Sequence, residues 1–230
     1  MAGTLQEPSF VQSLFGSIAR RYDLANRLLS GGMDVLWRKK AAEIVRKWEP
    51  RQILDLATGS GDIALTLREA CPLATVTGAD FCVPMLREAH RKGFTRTVAA
   101  DALALPFAPE TFDVVTVAFG LRNMASYPDA LREMRRVLKL GGHLLILDFS
   151  IPPGPLRLVY RPYLHHLLPR IAGALTGERG AYEYLGESIE QFPAGEKMLE
   201  LLENSGFYEP RALPLTGGIV TLYTATARNA

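Results

Sequence analysis

The sequence predicts an α/β protein built on a mostly parallel sheet, and three observations carry that expectation. Between Arg51 and Ser150, short apolar runs alternate with amphipathic helical stretches, the pattern of a sheet covered on both faces. A glycine-rich loop follows the first run and opens the first of those helices, as ligand-binding loops do in doubly wound folds. Two late strand-like runs flank Leu215-Thr216-Gly217-Gly218 and read as an antiparallel hairpin added to the sheet edge. A chain of 230 residues and 25.3 kDa is one domain with appendages. Its hydrophobic fraction of 48% and charged fraction of 22% exclude a disordered or fibrous chain. A formal charge of only +2 gives no reason to expect a nucleic-acid partner.

The elements follow in order. From Pro8 to Trp48 apolar residues recur at helical spacing, first Val11, Leu14, Phe15 and Ile18, then Val35, Leu36, Ala41, Ile44 and Val45. Gly31 and Gly32 interrupt this cover, residues 8–50, and Pro50 ends it. In the central block, 51–150, strands are expected at Ile53–Ala57, Thr75–Ala79, Val98–Ala100, Val114–Phe119 and Leu144–Phe149. Helices are expected at Ile63–Ala70, Pro84–Arg91 and Pro128–Leu138. Ile151-Pro152-Pro153-Gly154-Pro155 is a stiff link into the last block, 151–230. That block holds Leu156 to Leu175, a helix at Ala194–Glu203, and strands at Phe207–Leu213 and Gly218–Ala225.

Chemistry concentrates in Leu54-Asp55-Leu56-Ala57-Thr58-Gly59-Ser60-Gly61-Asp62. Its glycines permit positive φ, and the helix start supplies free N–H groups. A dinucleotide fingerprint would need a third glycine where Ala64 stands, and Asp62 repels a pyrophosphate while attracting an ammonium group. Asp80 closes the second strand at the place where an acid takes a ribose diol. Asp101 closes the third, suited to an exocyclic amine. Asp55, inside the first strand, is placed to orient the glycine loop through its backbone N–H groups. Together these carboxylates around a loop unsuited to pyrophosphate describe a site for S-adenosylmethionine. The alternative is that each Asp merely caps a helix or turn.

The central block resembles the class I S-adenosylmethionine-dependent methyltransferases, Rossmann-like proteins with a mostly parallel seven-stranded sheet. The flanks narrow the resemblance. Phe15-x6-Tyr22-Asp23-x2-Asn26-x3-Ser30-x-Gly32-x4-Trp37-Arg38, Phe119-Gly120-Leu121-Arg122-Asn123, the run Leu131 to Gly142, Ser188-Ile189-x2-Phe192-Pro193 and Leu215 to Val220 are similar to the menaquinone/ubiquinone biosynthesis C-methyltransferase family. The likeness spans Phe10 to Ala227. It implies methyl transfer to a ring carbon of demethylmenaquinol, a lipid-soluble prenylated quinol, or of a benzoquinol on the ubiquinone route. It also implies donor contacts at Ser60, Asp80, Asp101 and Ala102. With the loop and its neighbours the candidate donor set is Asp55, Ala57, Gly59, Ser60, Gly61, Asp80, Phe81, Asp101, Ala102 and Ala118. Three positions depart from the pattern. Gly16 stands for an acid or hydroxyl, Ala118 for a frequent Ser, and Tyr223 for a common His, the first and third being expected to bear on the acceptor site. A small-metabolite O- or N-methyltransferase and a non-catalytic donor-binding subunit of a quinone-synthesis complex are the rival readings.

A phenol-like hydroxyl with a pKa of about 10 costs about 4 kcal/mol to ionise at pH 7, so the acceptor needs a cation or a base. Arg122 is the first candidate to stabilise the phenolate, with backbone bracing as its alternative. Asn123 orients the ring oxygen or caps the following turn, Tyr22 bounds the acceptor pocket, and Asp148 is a candidate base. The segment Leu156 to Leu175 combines apolar residues with Arg157, Arg161 and Arg170. It is either a lid that admits a prenyl tail and meets anionic headgroups, or a helix packed on the sheet. His90 and His143 are expected to face solvent. Cys71 and Cys82 lack disulfide or zinc spacing, and no metal is implied. The start of the chain has neither the basic nor the apolar region of a secretory signal, and no run reaches the roughly 18–20 apolar residues of a membrane span. A cytoplasmic enzyme, peripheral at the inner face of the membrane, is expected. A homodimer follows from fold analogy alone.

Overall fold

The computed structural model describes residues 7–19, 27, 30–177 and 179–227. Tyr22, placed at the acceptor pocket by the sequence, lies outside them. Two helices, α1 (Pro8–Ile18) and α2 (Met33–Arg46), precede the alternating block. That block runs β1 (Gln52–Leu56), α3 (Asp62–Ala70), β2 (Thr75–Asp80), α4 (Val83–Arg91), β3 (Thr97–Ala99), β4 (Phe112–Ala118), α5 (Tyr127–Val137) and β5 (Leu138–Phe149). After it come α6 (Leu156–Pro162), a π-helical turn at Tyr163–Leu167, α7 (Leu168–Thr176), α8 (Arg179–Gln191), α9 (Glu196–Asn204), β6 (Phe207–Leu215) and β7 (Val220–Ala227).

The seven strands order as β3-β2-β1-β4-β5-β7-β6. The first five are parallel, and β7 runs antiparallel to both β5 and β6. The expected hairpin is present, with β7 inserted beside β5 and β6 left at the edge. Pro214, Glu209 and Arg211 on β6 discourage pairing with another chain. Thr216, Gly217 and Gly218 make the turn as one 3-10 step, with Gly217 at φ 67° and Gly218 at φ 91°. The order reverses between β1 and β4, which opens a crevice at their carboxyl ends.

Alternation along the central strands sorts two cores. Leu54, Leu56, Val115 and Val117 face one side, with Met134 of α5 and Met198 of α9. Ile53 and Val114 face the other, with Trp37, Ala41 and Val45 of α2 and Leu67 of α3. A third cluster joins α6 to α8 through Tyr160, Leu164, Leu168, Ala172 and Ile189, with Leu14 and Phe15 of α1 against it. The sequence reading passed over α8. Its Gly180 and Gly186 are poor helix formers, and Gly186 is there because the His165 ring and the Leu164 carbonyl lie 3.3 Å from where a Cβ would stand. Tertiary packing sets that helix.

Tyr223 is a second correction. It is 1% exposed in the first core and lines none of the cavities. Its hydroxyl accepts the Gly195 N–H at 2.9 Å, fixing the entry to α9, so it acts on the fold and not on the acceptor. Tyr223→Phe strands that N–H and should lower stability by about 1–3 kcal/mol in urea unfolding, with donor affinity unchanged.

Candidate active site

The loop between β1 and α3 turns sharply, with Ala57 at φ 53°, Gly59 at φ 56° and Gly61 at φ 83°. Gly61 is required twice over, for its left-handed backbone and because a Cβ would meet that of Ala89 at 3.0 Å. Asp80 holds the loop from the end of β2. One carboxylate oxygen accepts the Gly59 N–H and the other the Cys82 N–H, each at 2.8 Å. This backbone-holding task was assigned from sequence to Asp55. Asp55 instead accepts two hydroxyls, Thr58 at 2.5 Å and Thr116 of the neighbouring strand at 2.8 Å. It is fully buried under the loop.

A cavity of about 250 Å³ opens at this crevice. Ala57, Gly59, Ser60, Asp80, Phe81, Asp101, Ala102 and Ala118 line it, whereas Asp55 and Gly61 do not. Those two shape its floor from behind. Asp101 is exposed and accepts the Leu103 N–H at 2.9 Å. Cys82 lines the same cavity with a thiol that burial pushes upward. Asp62 does not present a free charge to a ligand: Lys92 Nζ lies at 2.5 Å and Arg38 Nη1 at 3.3 Å.

Beside it lies a second cavity of about 360 Å³, walled largely by aromatic and aliphatic side chains including Trp37, Phe149, Tyr160, Tyr163, Leu164 and Ile189. Phe15, Arg38 and Phe119 line both. Arg122 lines the second cavity and donates from Nη1 to Asp148 Oδ1 at 2.7 Å and to the Phe119 carbonyl at 2.5 Å. Its guanidinium also lies 5.4 Å from the centre of the Phe149 ring. The bracing set against charge stabilisation in the sequence reading is present, and the same guanidinium lies at the wall of the second cavity.

Asp148 is 0% exposed and lines neither cavity. Burial raises its carboxyl pKa against the pull of Arg122. The expected base therefore has no path to an acceptor and serves to anchor Arg122. Asn123 lines the first cavity, donating to the Phe119 carbonyl at 3.3 Å and accepting the Tyr184 hydroxyl at 3.1 Å. The cap of α5 is Ser126, which accepts the Asp129 N–H. His143 stacks on Trp48 with centroids 4.4 Å apart, and His90 bonds Thr97 at 2.6 Å. Among the described residues no His, Cys, Asp and Glu group is placed to hold a metal ion.

Sequence reasoning missed Asp34, which lines the second cavity, and the site position of Arg38. The signal was available: an acid in the first turn of a helix and an arginine four residues on, both on the face that carries Trp37.

A parallel sheet reversed only at its last strands, with a glycine loop and acidic strand ends at its switch point, is the fold of the S-adenosylmethionine-dependent methyltransferases. Solved structures agree. A methyltransferase of that class from Thermotoga maritima superposes with a TM-score of 0.68 at 18% identity, over 94% of this chain and 99% of its own. A phosphoethanolamine N-methyltransferase from Haemonchus contortus gives 0.60 at 16% identity, over 83% of this chain and 52% of its own. The chain belongs to the ubiE/COQ5 methyltransferase family, whose model matches residues 3–227. It is 49% identical to a demethylmenaquinone methyltransferase of Thermus thermophilus, over 91% of this chain and 98% of that one. To a ubiquinone/menaquinone biosynthesis C-methyltransferase of Syntrophotalea carbinolica it is 48% identical, over 92% and 91%. It is a methyltransferase that takes S-adenosylmethionine as methyl donor.

Burial raises the Asp55 carboxyl to about 7 and that of Asp80 to about 6, outweighing their hydrogen bonds. For Asp55, a folded pKa above the ordinary value of 3.8 means stability is fully present below that value and is lost as pH rises toward 7. Asp55→Asn removes this cost. Its stabilisation over wild type, followed by urea unfolding at a series of pH values, should grow from pH 4 to 7 to on the order of 4 kcal/mol and then level off.

Proposed function

We propose that this protein transfers the methyl group of S-adenosylmethionine to a ring carbon of demethylmenaquinol, giving menaquinol. The observation that carries the reading is the pair of abutting cavities, one rimmed by carboxylates at strand ends, the other aromatic and apolar, with Arg38, Phe15 and Phe119 at their border. The relatives' names support the same acceptor class. Asp80 takes the ribose hydroxyls, since each carboxylate oxygen keeps a lone pair beyond its backbone bond. Asp101 takes the adenine amine, while Ser60, Ala102 and Ala118 offer main chain. The bound donor supplies an electrophilic sulfonium methyl, so the protein's task is alignment and charge. Arg122, its charge shared with Asp148, places a guanidinium at the acceptor cavity toward a developing phenolate.

The face of α6 and α7 serves as the entry for the prenyl tail at a membrane surface. Leu158 is 77% and Val159 71% exposed, and the stretch from Phe149 to Gly177 contains Arg157, Arg161 and Arg170 but no Asp or Glu. Leu156, Val159 and Leu168 also line the second cavity, which links surface to site. No described helix is long and apolar enough to cross a membrane, so contact would be peripheral.

The purified chain, given labelled donor and a reduced, short-tailed demethylmenaquinol, should methylate the ring. A benzoquinol run in parallel covers the ubiquinone route that the Syntrophotalea carbinolica relative's name includes. Donor binding without turnover on either would overturn the quinol reading. In calorimetric titration Asp80→Ala should weaken donor affinity at least tenfold, and unchanged affinity would remove Asp80 from the donor site. Flotation with vesicles containing anionic lipid should fall severalfold on replacing Arg157, Arg161 and Arg170 by Ala. Equal flotation would leave this face as simple packing.

A further inference from the structure

We propose that Asp34 takes the proton from the acceptor's ring hydroxyl and that Arg38, next to it, holds the charge left on the oxygen. The proposal rests on the quinol reading above and assigns the base that reading needs. Arg38 lines both cavities and so marks where methyl passes from one to the other, and Asp34 lines the acceptor side. The Asp34 side chain is 6% exposed. Its Oδ1 accepts the Ser30 hydroxyl at 2.9 Å, and its Oδ2 accepts Arg38 Nη1 at 2.6 Å. The series continues through Asp62, 3.3 Å from the same Nη1, to Lys92 at 2.5 Å from Asp62. Two acids and two cations alternate, from the buried Asp34 and Arg38 out to the exposed Lys92, so the row is neutral overall.

The other groups lining the acceptor cavity do not suit the task. No second carboxylate and no histidine is among the described residues there. Burial raises the phenols of Tyr160 and Tyr163, and pushes Tyr184 to about 12, while a guanidinium does not accept protons. Asp34 has spare lone pairs and a cation that serves either charge state. When the hydroxyl proton moves to Asp34, the negative charge passes from carboxylate to ring oxygen, and Arg38 is beside both. No isolated charge is created in an apolar cavity, the outcome that would be most costly there.

The chemistry balances. The O–H bond breaks and its proton goes to the Asp34 carboxylate. Electrons from the ring oxygen make the neighbouring carbon nucleophilic. A bond forms between that carbon and the methyl as the methyl–sulfur bond breaks, its electron pair staying on sulfur to give the neutral thioether. The ring carbon then releases its hydrogen to solvent as a proton, and Asp34 returns its proton to the oxygen. One proton is released per methyl transferred.

Asp34→Asn and Asp34→Glu would be assayed with a series of reduced naphthoquinols whose hydroxyls grow more acidic through ring halogenation, the integrity of each variant being read from titration with S-adenosylhomocysteine. With the parent quinol the Asn variant should lose turnover at least a hundredfold, with product affinity within about threefold, and the loss should shrink as the hydroxyl becomes more acidic. The Glu variant, still a carboxylate, should recover at least tenfold over Asn. A loss equal for every quinol in both variants, or an Asn variant within threefold of wild type, overturns the assignment. If the Asn variant fails to bind the product, the Glu variant against wild type decides: a deficit that narrows with acidity supports the base, and a constant one overturns it. Wild type without turnover overturns the quinol reading and this one with it, whereas active wild type beside an equally active Asn variant overturns this one alone.

Discussion

The partition between the two cavities rests on one buried ion pair, Arg122 with Asp148. The chain leaving β4 has Phe119 in a left-handed conformation at φ 59° and passes straight into a 3-10 turn at Leu121–Asn123, a path with little intrinsic preference. Arg122 fixes it from within by gripping the Phe119 carbonyl and, from the neighbouring strand, Asp148. Gly120 packs directly on Ala57, so this turn and the glycine loop keep each other in place. Phe119 faces both cavities, Asn123 one and Arg122 the other. Removing one partner of such a pair costs about 3–5 kcal/mol, much of it through the bare charge left behind. Here it would also loosen the wall between the two cavities.

The fold was legible where a single periodicity governs a segment. Ile53 to Leu56 and Val114 to Val117 sort residue by residue onto two faces, and α5 keeps its apolar side on Ala130, Leu131 and Met134. Acidic strand ends and glycines likewise announced the donor crevice, because those residue types are costly anywhere else in a buried sheet. What stayed hidden depends on contacts distant in sequence. Asp55 and Asp80 look alike as aspartates in or at the end of a strand, yet one is met by hydroxyls and the other by backbone N–H groups. Helix α8 is held by the packing of Gly186 on His165, which no local pattern encodes. Asp148 read as a base because it ends a strand near the crevice, and only coordinates reveal that its charge is sealed behind Arg122.

The two flanking blocks meet over the central sheet. Leu14 and Phe15 of α1 pack against the cluster of α6 to α8, and Trp37 of α2 donates to the Thr216 hydroxyl at 2.8 Å in the turn between β6 and β7. Residues far apart in the chain thus build one apolar chamber above a polar crevice. The fold separates a polar crevice from an apolar chamber while giving both the same border residues.

Both cysteines are buried with thiols held toward the neutral form, and Cys82 lines the donor cavity itself. Oxidised naphthoquinones are electrophiles that alkylate thiolates, whereas a protonated sulfhydryl reacts slowly. An enzyme exposed to such compounds gains resistance to self-inactivation by keeping its sulfur uncharged.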